Sequence, residues 1–327
     1  MSVTSNLLNR DDAVRRSFAA DASGLEMLPD AVARPTSRDE LVEVVREAGS
    51  ARMAITPAAG MSSMTAGPIC DHGVVLSVRG LDRMLDIDRD RMTVRVEPGI
   101  GVADLKRRLA TEGFLFAPDP TSEEEATLGG SIACNASGAR SLKYGATRRH
   151  VAGLTVVLAS GEVAKFHRSR VEKNTVGYAA VQDPVDWFIG SEGTLGVVVE
   201  AELSLLPLPQ RVTGLGFPFP DQSSAFAFVR AARDAMRRGA IDPRCLEFLD
   251  VRSLEIVRSQ DGGAGWGGEA FIYTEQEHRG DAELDYDAWL VLGEANGALV
   301  DDVLAFDDDA KIRTARLVRH AAPVIRR

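Results

Sequence analysis

Apolar residues recur at helical spacing at Leu41, Val44, Val45 and Ala48, directly after Ser37 and Glu40. A hydroxyl followed three residues later by a glutamate is a helix start, and Gly49 supplies a stop, so the pattern predicts a helix over residues 35–49. A short strand is expected at Arg52–Thr56, running into a loop of small residues at Pro57–Pro68. Strands are predicted at Val74–Val78, Met84–Asp88 and Thr93–Glu97, and a second helix at Val102–Glu112, closed by Gly113. This alternation reads as a small α/β unit. From Val151 the pattern changes. Leu154–Leu158 and Glu162–Phe166 flank Ser160-Gly161, a hairpin signal. Leu195–Leu205 alternates apolar and polar residues as a half-buried strand does. The run Leu206-Pro-Leu-Pro-Gln210 breaks regular structure and marks a boundary. Beyond it a helix is expected at Ser223–Arg238, strands at Cys245–Leu249 and Ala270–Thr274 around a glycine-rich loop at Gly262–Gly268, then helices at Ala282–Ala295 and Lys311–Arg319. The second part reads as α+β, and no internal repeat is evident.

A length of 327 residues accommodates two domains of about 150 residues each. The balance of 45% hydrophobic and 26% charged residues is that of an ordinary globular protein. A net charge of −10 argues against nucleic acid as a general partner, which needs a basic footprint. No stretch approaches the ~18 apolar residues of a membrane span, and Met1–Asp21 lacks the apolar core of a signal peptide, so a cytoplasmic setting is expected. Cys70, Cys134 and Cys245 are far apart and form no CxxC pair, which points to reduced thiols and away from a zinc or iron–sulfur site.

Three segments carry candidate chemistry. The first, Phe116–Gly145, contains Gly129, Gly130, Gly138 and Gly145 together with Ser131, Ala133, Ala136, Ser137 and Ala139. Such small residues let backbone approach a bulky ligand and leave amides free to face it. Asn135, Ser137, Thr121 and Ser122 add side-chain donors, and Pro118 and Pro120 stiffen the entry. The second, Pro57–Pro68, follows a strand and suits a pyrophosphate held on backbone amides; it is neither a Walker loop nor a GxGxxG fingerprint. The third, Gly190-Ser-Glu-Gly-Thr-Leu-Gly196, precedes a β-branched run and suits a turn that sets a strand edge against a flat ligand. Each segment taken alone also fits an ordinary surface turn or connecting loop.

Taken in order, the landmarks Val94-Arg-Val-Glu-Pro-Gly99, Pro118-Asp-Pro-Thr-Ser122, Thr127-Leu-Gly-Gly130, Asn135-Ala-Ser-Gly138, Lys143-Tyr-Gly145 and Gly190–Gly196 resemble the FAD-binding domain of the vanillyl-alcohol oxidase/p-cresol methylhydroxylase (PCMH) superfamily. The branch most resembled is that of FAD-linked 2-hydroxy-acid dehydrogenases acting on D-lactate, glycolate or D-2-hydroxyglutarate. The resemblance runs from about Pro29 to Pro209 and more loosely beyond. It implies an α+β protein: a lead-in segment over 1–28, a two-subdomain PCMH-type FAD-binding domain over 29–209 (subdomains about 29–150 and 151–209), and a partial α+β cap domain with antiparallel sheet over 210–327.

Carried over residue by residue, the resemblance places Gly60, Ser62 and Ser63 at the pyrophosphate, with the side chain of Met61 pointing away from the phosphates. Pro120, Thr121, Gly129, Gly130, Asn135, Ser137, Gly138 and Gly145 would line the cofactor, and Glu192, Gly193 and Val198 would lie along its adenosine and flavin sides. The first loop departs from the usual glycine triplet after an arginine, reading Ala58, Ala59, Gly60 and Met61. Positions that carry covalent flavin elsewhere in the superfamily hold no histidine or cysteine, so FAD is expected to be noncovalent; Cys134 is read as a packing residue, and His150 as a packed or surface histidine rather than one near the flavin.

The implied reaction passes a hydride from a hydroxy-acid α-carbon to flavin. Its partners are a small hydroxy acid and an electron acceptor (a quinone, cytochrome, flavoprotein or iron–sulfur protein). Family members continue past the equivalent of Arg327 into a histidine- and glycine-rich motif, and none of the five histidines here lies in such a motif, so the chain is read as a truncated member with no metal site of its own. Arg313, Arg316 and Arg319 recur on the last expected helix, where they fit a solvated basic face. By resemblance to a tryptophan-x-x-arginine signature, Arg319 would grip the substrate carboxylate, with Arg316 standing where tryptophan is usual and His320 where an acidic residue is usual. A lactone oxidase, an alkyl-glycerone-phosphate-synthase-like enzyme, or a flavin-binding subunit of a larger assembly are the alternatives on the same fold.

Overall fold

The computed structural model describes residues 7–169, 173, 183–259, 265–278 and 286–324, with the side chains of 317 and 319–324 outside that description. The fold is α+β, in two compact units: Met1–Gly138 with Ala146–Pro207, and Ala139–Gly145 with Leu208–Arg327.

In the first unit, four strands lie in the order Leu8–Asn9, Ala31–Ala33, Val74–Ser77, Ile55–Ala58; the last three are mutually parallel and the first is antiparallel to its neighbour. Parallel pairing requires a crossover, which the helix Arg38–Ser50 provides. Ser37 Oγ accepts from the Glu40 amide at 3.2 Å, while Glu40 Oε2 reaches back to the Thr36 amide at 2.7 Å, one residue earlier than a standard capping box. The apolar face of this helix, Leu41, Val44 and Val45, packs on Ala31, Ala33, Val74 and Leu76. The strand expected at Arg52–Thr56 begins only at Ile55, because Arg52 adopts a left-handed φ of 53° that turns the chain out of the helix. Pro57 is tolerated because its strand is at the sheet edge.

A second sheet, antiparallel throughout, has the order Met84–Asp88, Thr93–Val96, Val197–Ser204, Val151–Val157, Val163–His167. The strands Met84–Asp88 and Thr93–Val96 therefore leave the parallel sheet and join the later hairpin. Val197–Ser204 alternates buried and partly buried residues, as its pattern requires, whereas Val151–Val157 is buried along its whole length. The helix Val102–Thr111 adds Leu105 and Leu109 to the core beside Val94, Val96, Leu154 and Leu203.

The second unit is built on an antiparallel sheet ordered Pro243–Leu249, Ala270–His278, Arg211–Phe219, Leu304–Phe306, with the helices Gln222–Arg237, Val251–Arg258, Asp287–Ala295 and Asp309–Val324. Its short helix Ser141–Tyr144 is tied to the sheet by charge. Arg140 Nε donates to Glu275 Oε2 at 3.0 Å, and Lys143 Nζ to Glu277 Oε2 at 3.0 Å. The glycine-rich loop expected at Gly262–Gly268 and the start of the helix expected at Ala282 fall partly outside the described residues.

Candidate functional site

A cleft in the first unit encloses roughly 1080 Å³, part of it open to solvent. Three walls form it. The loop leaving the edge strand brings Gly60, Met61, Ser62 and Ser63; the helix Leu128–Ala133 brings Gly129 and Gly130; the turn before Val197–Ser204 brings Glu192 and Gly193 and the strand itself Val198, and Pro120 joins them. The walls are tied by backbone. Gly190 N donates to Ile132 O and Glu192 N to Ala133 O, each at 3.0 Å. A methyl group on Gly60 would lie 2.8 Å from the Glu125 carbonyl, so this loop passes too close to its neighbour for any side chain.

Backbone strain concentrates here. Among the described residues, Met61 and Glu192 line the cleft at φ of 59° and 52°, and Ala66 (59°) and Asn135 (46°) belong to the same segments. The Met61 side chain packs on the small cluster of Phe18, Val32, Ala58 and Val75.

Polar groups are sparse in the cleft. Thr127 Oγ1 and Ser131 Oγ are buried and have no hydrogen-bond partner among the described residues, and both line it. Ser131 lies within the helix Leu128–Ala133 and Thr127 is its extended N-cap, two hydroxyls that the site expectations above did not use. Pro98 lines the same cleft, and beside it Glu97 accepts from the Arg83 amide and guanidinium, at 2.9 Å and 2.7 Å. Burial pushes the Glu97 carboxyl up, but Arg83 outweighs it and holds the group below its ordinary range. The Cys134 thiol is held above its ordinary range, first by desolvation and then by the Glu192 carboxylate, so it stays protonated and a poor nucleophile.

The other expected residues are placed elsewhere. Thr121 and Ser137 are exposed. Asn135 turns away from the cleft lining to accept the Arg148 amide at 3.0 Å. Gly138 forms a backbone bridge with Pro120, where a methyl group would meet the Asp119 carbonyl at 1.8 Å. Gly145 ends the helix Ser141–Tyr144 in the second unit, at φ of 79°. His150 is buried edge-on against Phe116 and lowered to about 4, chiefly by burial and then by Arg149 and Lys106. Arg319 is in the helix Asp309–Val324, but its side chain and that of His320 lie outside the described residues.

Residues 29–167 match the family described as the FAD binding domain. The cofactor that this match supports is FAD. Among relatives of the chain, the glycolate oxidase subunit GlcD of Bacillus subtilis is 34% identical over 254 residues, covering 76% of this chain and 52% of the relative. The D-2-hydroxyglutarate dehydrogenase of Xanthomonas citri pv. viticola is 37% identical, covering 70% of this chain and 47% of its own length. The D-lactate dehydrogenase of Anaerostipes hadrus is 31% identical, covering 73% and 49%. The chain thus spans about half the length of the curated relatives it matches. Solved structures of alkyldihydroxyacetonephosphate synthase share the fold: one superposes with a TM-score of 0.76 at 23% identity, covering 99% of this chain and 66% of that one.

The cleft fits the cofactor of the FAD binding domain on its own chemistry. Glycines leave room for a bulky planar ligand, and two buried hydroxyls have no partner among the described residues. Among the described residues no helix is long and apolar enough to cross a membrane.

Proposed function

We propose that this chain is the FAD-holding part of an oxidoreductase that dehydrogenates a small 2-hydroxy acid of the D-lactate, glycolate or D-2-hydroxyglutarate type. The observation that carries the reading is the cleft itself: a small-residue cavity lined mostly by the segment that matches the FAD binding domain, with Thr127 and Ser131 hydroxyls unpartnered among the described residues. The names of the relatives support the substrate class. Gly60, Met61, Ser62, Ser63, Pro120, Gly129, Gly130, Glu192, Gly193 and Val198 hold the cofactor in this reading, by close backbone approach and exclusion of water. Asn135, Gly138 and Gly145 act instead by shaping neighbouring backbone, and Thr121 and Ser137 stay outside the cleft lining. When bound, FAD supplies a two-electron acceptor for the hydride. Arg319 is assigned to the substrate carboxylate, because a guanidinium forks onto a carboxylate with two charge-assisted bonds. An electron acceptor then reoxidises the protein.

The test is a visible spectrum after incubation with FAD and removal of free flavin. Retained bands near about 370 and 450 nm and their bleaching by one of the three hydroxy acids under anaerobic conditions are the expected result. A second reading, an alkyldihydroxyacetonephosphate-synthase-like enzyme, is favoured by the shared fold and by a Caenorhabditis elegans relative of that name at 35% identity. Flavin that is retained but bleached by none of the hydroxy acids would favour it.

A further inference from the structure

Outside the cleft lining, one side chain gathers the third wall from behind. Arg148 Nη1 donates to the Asp186 carbonyl at 2.8 Å, and Nη2 donates to the Ile189 carbonyl. The same guanidinium is 3.0 Å from the Asp186 carboxylate, which Arg168 grips from its other side. The main chain of Arg148 is fixed as well. Its amide donates to Asn135 Oδ1, and its carbonyl accepts from Arg168 Nη2 at 3.2 Å. The guanidinium therefore spans the carbonyls at both ends of the segment Asp186–Ile189, whose next residues Gly190 and Glu192 are the ones bonded to the helix Leu128–Ala133. Phe188, Ser191, Glu192 and Gly193 of this segment line the cleft.

We propose that Arg148, held by Asp186 and Arg168, is a positioning residue for the cofactor: it sets the wall from Phe188 to Gly193 in the conformation that receives FAD, without touching the ligand. The inference rests on the FAD reading of the cleft. The wall contains two left-handed glycines and a left-handed Glu192, so its backbone has alternatives to relax into once the two carbonyls are released. A lysine at 148 keeps the charge but lacks the planar fork that serves both carbonyls at once.

The experiment measures the FAD dissociation constant, by recovery of flavin fluorescence, for the wild type, Arg148→Ala, Arg148→Lys and Asp186→Asn. It is run at a temperature where circular dichroism shows each protein fully folded. Val257→Ala, in a buried cluster of the second unit that shares no residue with the wall, serves as a variant that lowers stability only. At full folding a merely structural lesion leaves the dissociation constant unchanged. The expected result is at least a tenfold weaker constant for Arg148→Ala, carried by faster FAD release, an intermediate weakening for Arg148→Lys and Asp186→Asn, and none for Val257→Ala. Should Arg148→Ala fail to fold, the Lys and Asn variants decide the matter. Wild-type binding with all three clamp variants within twofold of it overturns the positioning role alone. Failure of the wild type to retain FAD overturns the cofactor reading and this inference with it.

Discussion

The amide of Gly129 donates to the carbonyl of Pro98 at 2.7 Å, and a methyl group on Gly129 would lie 2.7 Å from Pro98 Cβ. Helix and loop meet here with no space for a side chain. One residue on, a methyl group on Gly130 would meet nothing nearer than Thr127 Oγ1 at 3.5 Å, and it would project into the cleft. The two glycines should therefore respond oppositely to alanine. Gly129→Ala is expected to destabilise the apoprotein by about 2 kcal/mol through overpacking. Gly130→Ala should leave it unchanged or up to about 1 kcal/mol more stable through helix propensity, while weakening FAD binding. Urea denaturation and flavin titration of both variants check the contrast.

Ser131 and Thr127 carry hydroxyls that are buried with no partner among the described residues. Removing such a group lifts a desolvation penalty in the empty protein, so Ser131→Ala and Thr127→Val should be neutral or stabilising by about 1 kcal/mol. In the presence of FAD the sign reverses. Thermal melts with saturating FAD should show a smaller ligand-induced rise for each variant than for the wild type. An undiminished rise in both would place their partners elsewhere.

Glu275 is 1% exposed and faces Arg140 at 3.0 Å and Arg244, itself 4% exposed, at 3.6 Å, with the Tyr273 hydroxyl donating at 3.2 Å. Burial pushes its carboxyl up, but the two guanidiniums prevail and keep it below its ordinary range. Glu275→Ala leaves these cations buried beside the space it vacates and should cost about 3–5 kcal/mol, read by chemical denaturation. Glu275→Gln, which keeps the volume but not the charge, should fall short of wild type as well.

His150 supplies a pH dependence with a definite sign. Folding lowers it from 6.5 to about 4, so the unfolded chain takes up the proton first. Its contribution is flat above pH 6.5 and is lost as the pH falls towards 4, by ~3 kcal/mol at most. Stability measured across that window should decline less steeply in His150→Asn than in the wild type.

Much of the fold was legible because some segments decide their conformation locally. Ser37 and Glu40 announced the helix Arg38–Ser50, and the alternation ending at Leu205 announced the strand Val197–Ser204. What escaped was set by packing partners distant in sequence. Leu128–Ala133 contains two adjacent glycines, and the sequence pattern assigns it no element; it is a helix in which Gly129 approaches Pro98 too closely for a side chain. The strand Arg211–Phe219 carries Gly214, Gly216 and Pro218, each unfavourable by propensity. Yet the Tyr273 and Phe271 rings occupy the space that side chains at Gly214 and Gly216 would fill. Glycines and serines from the three segments named in the sequence line one cleft. Sequence could not say which of them face inward, and the hydroxyls of Thr127 and Ser131 emerged only with the helix Leu128–Ala133 and its N-cap.

The placement of the indole rings has an optical consequence. Of the three tryptophans, Trp266 and Trp289 are each 1% exposed in the second unit, whereas Trp187 is 54% exposed in the first. Emission from the buried pair should shift to longer wavelength when the second unit opens, while Trp187 already emits from water. Intrinsic fluorescence would thus follow one half of the molecule and bound-flavin absorbance the other, giving a single unlabelled sample two independent reporters.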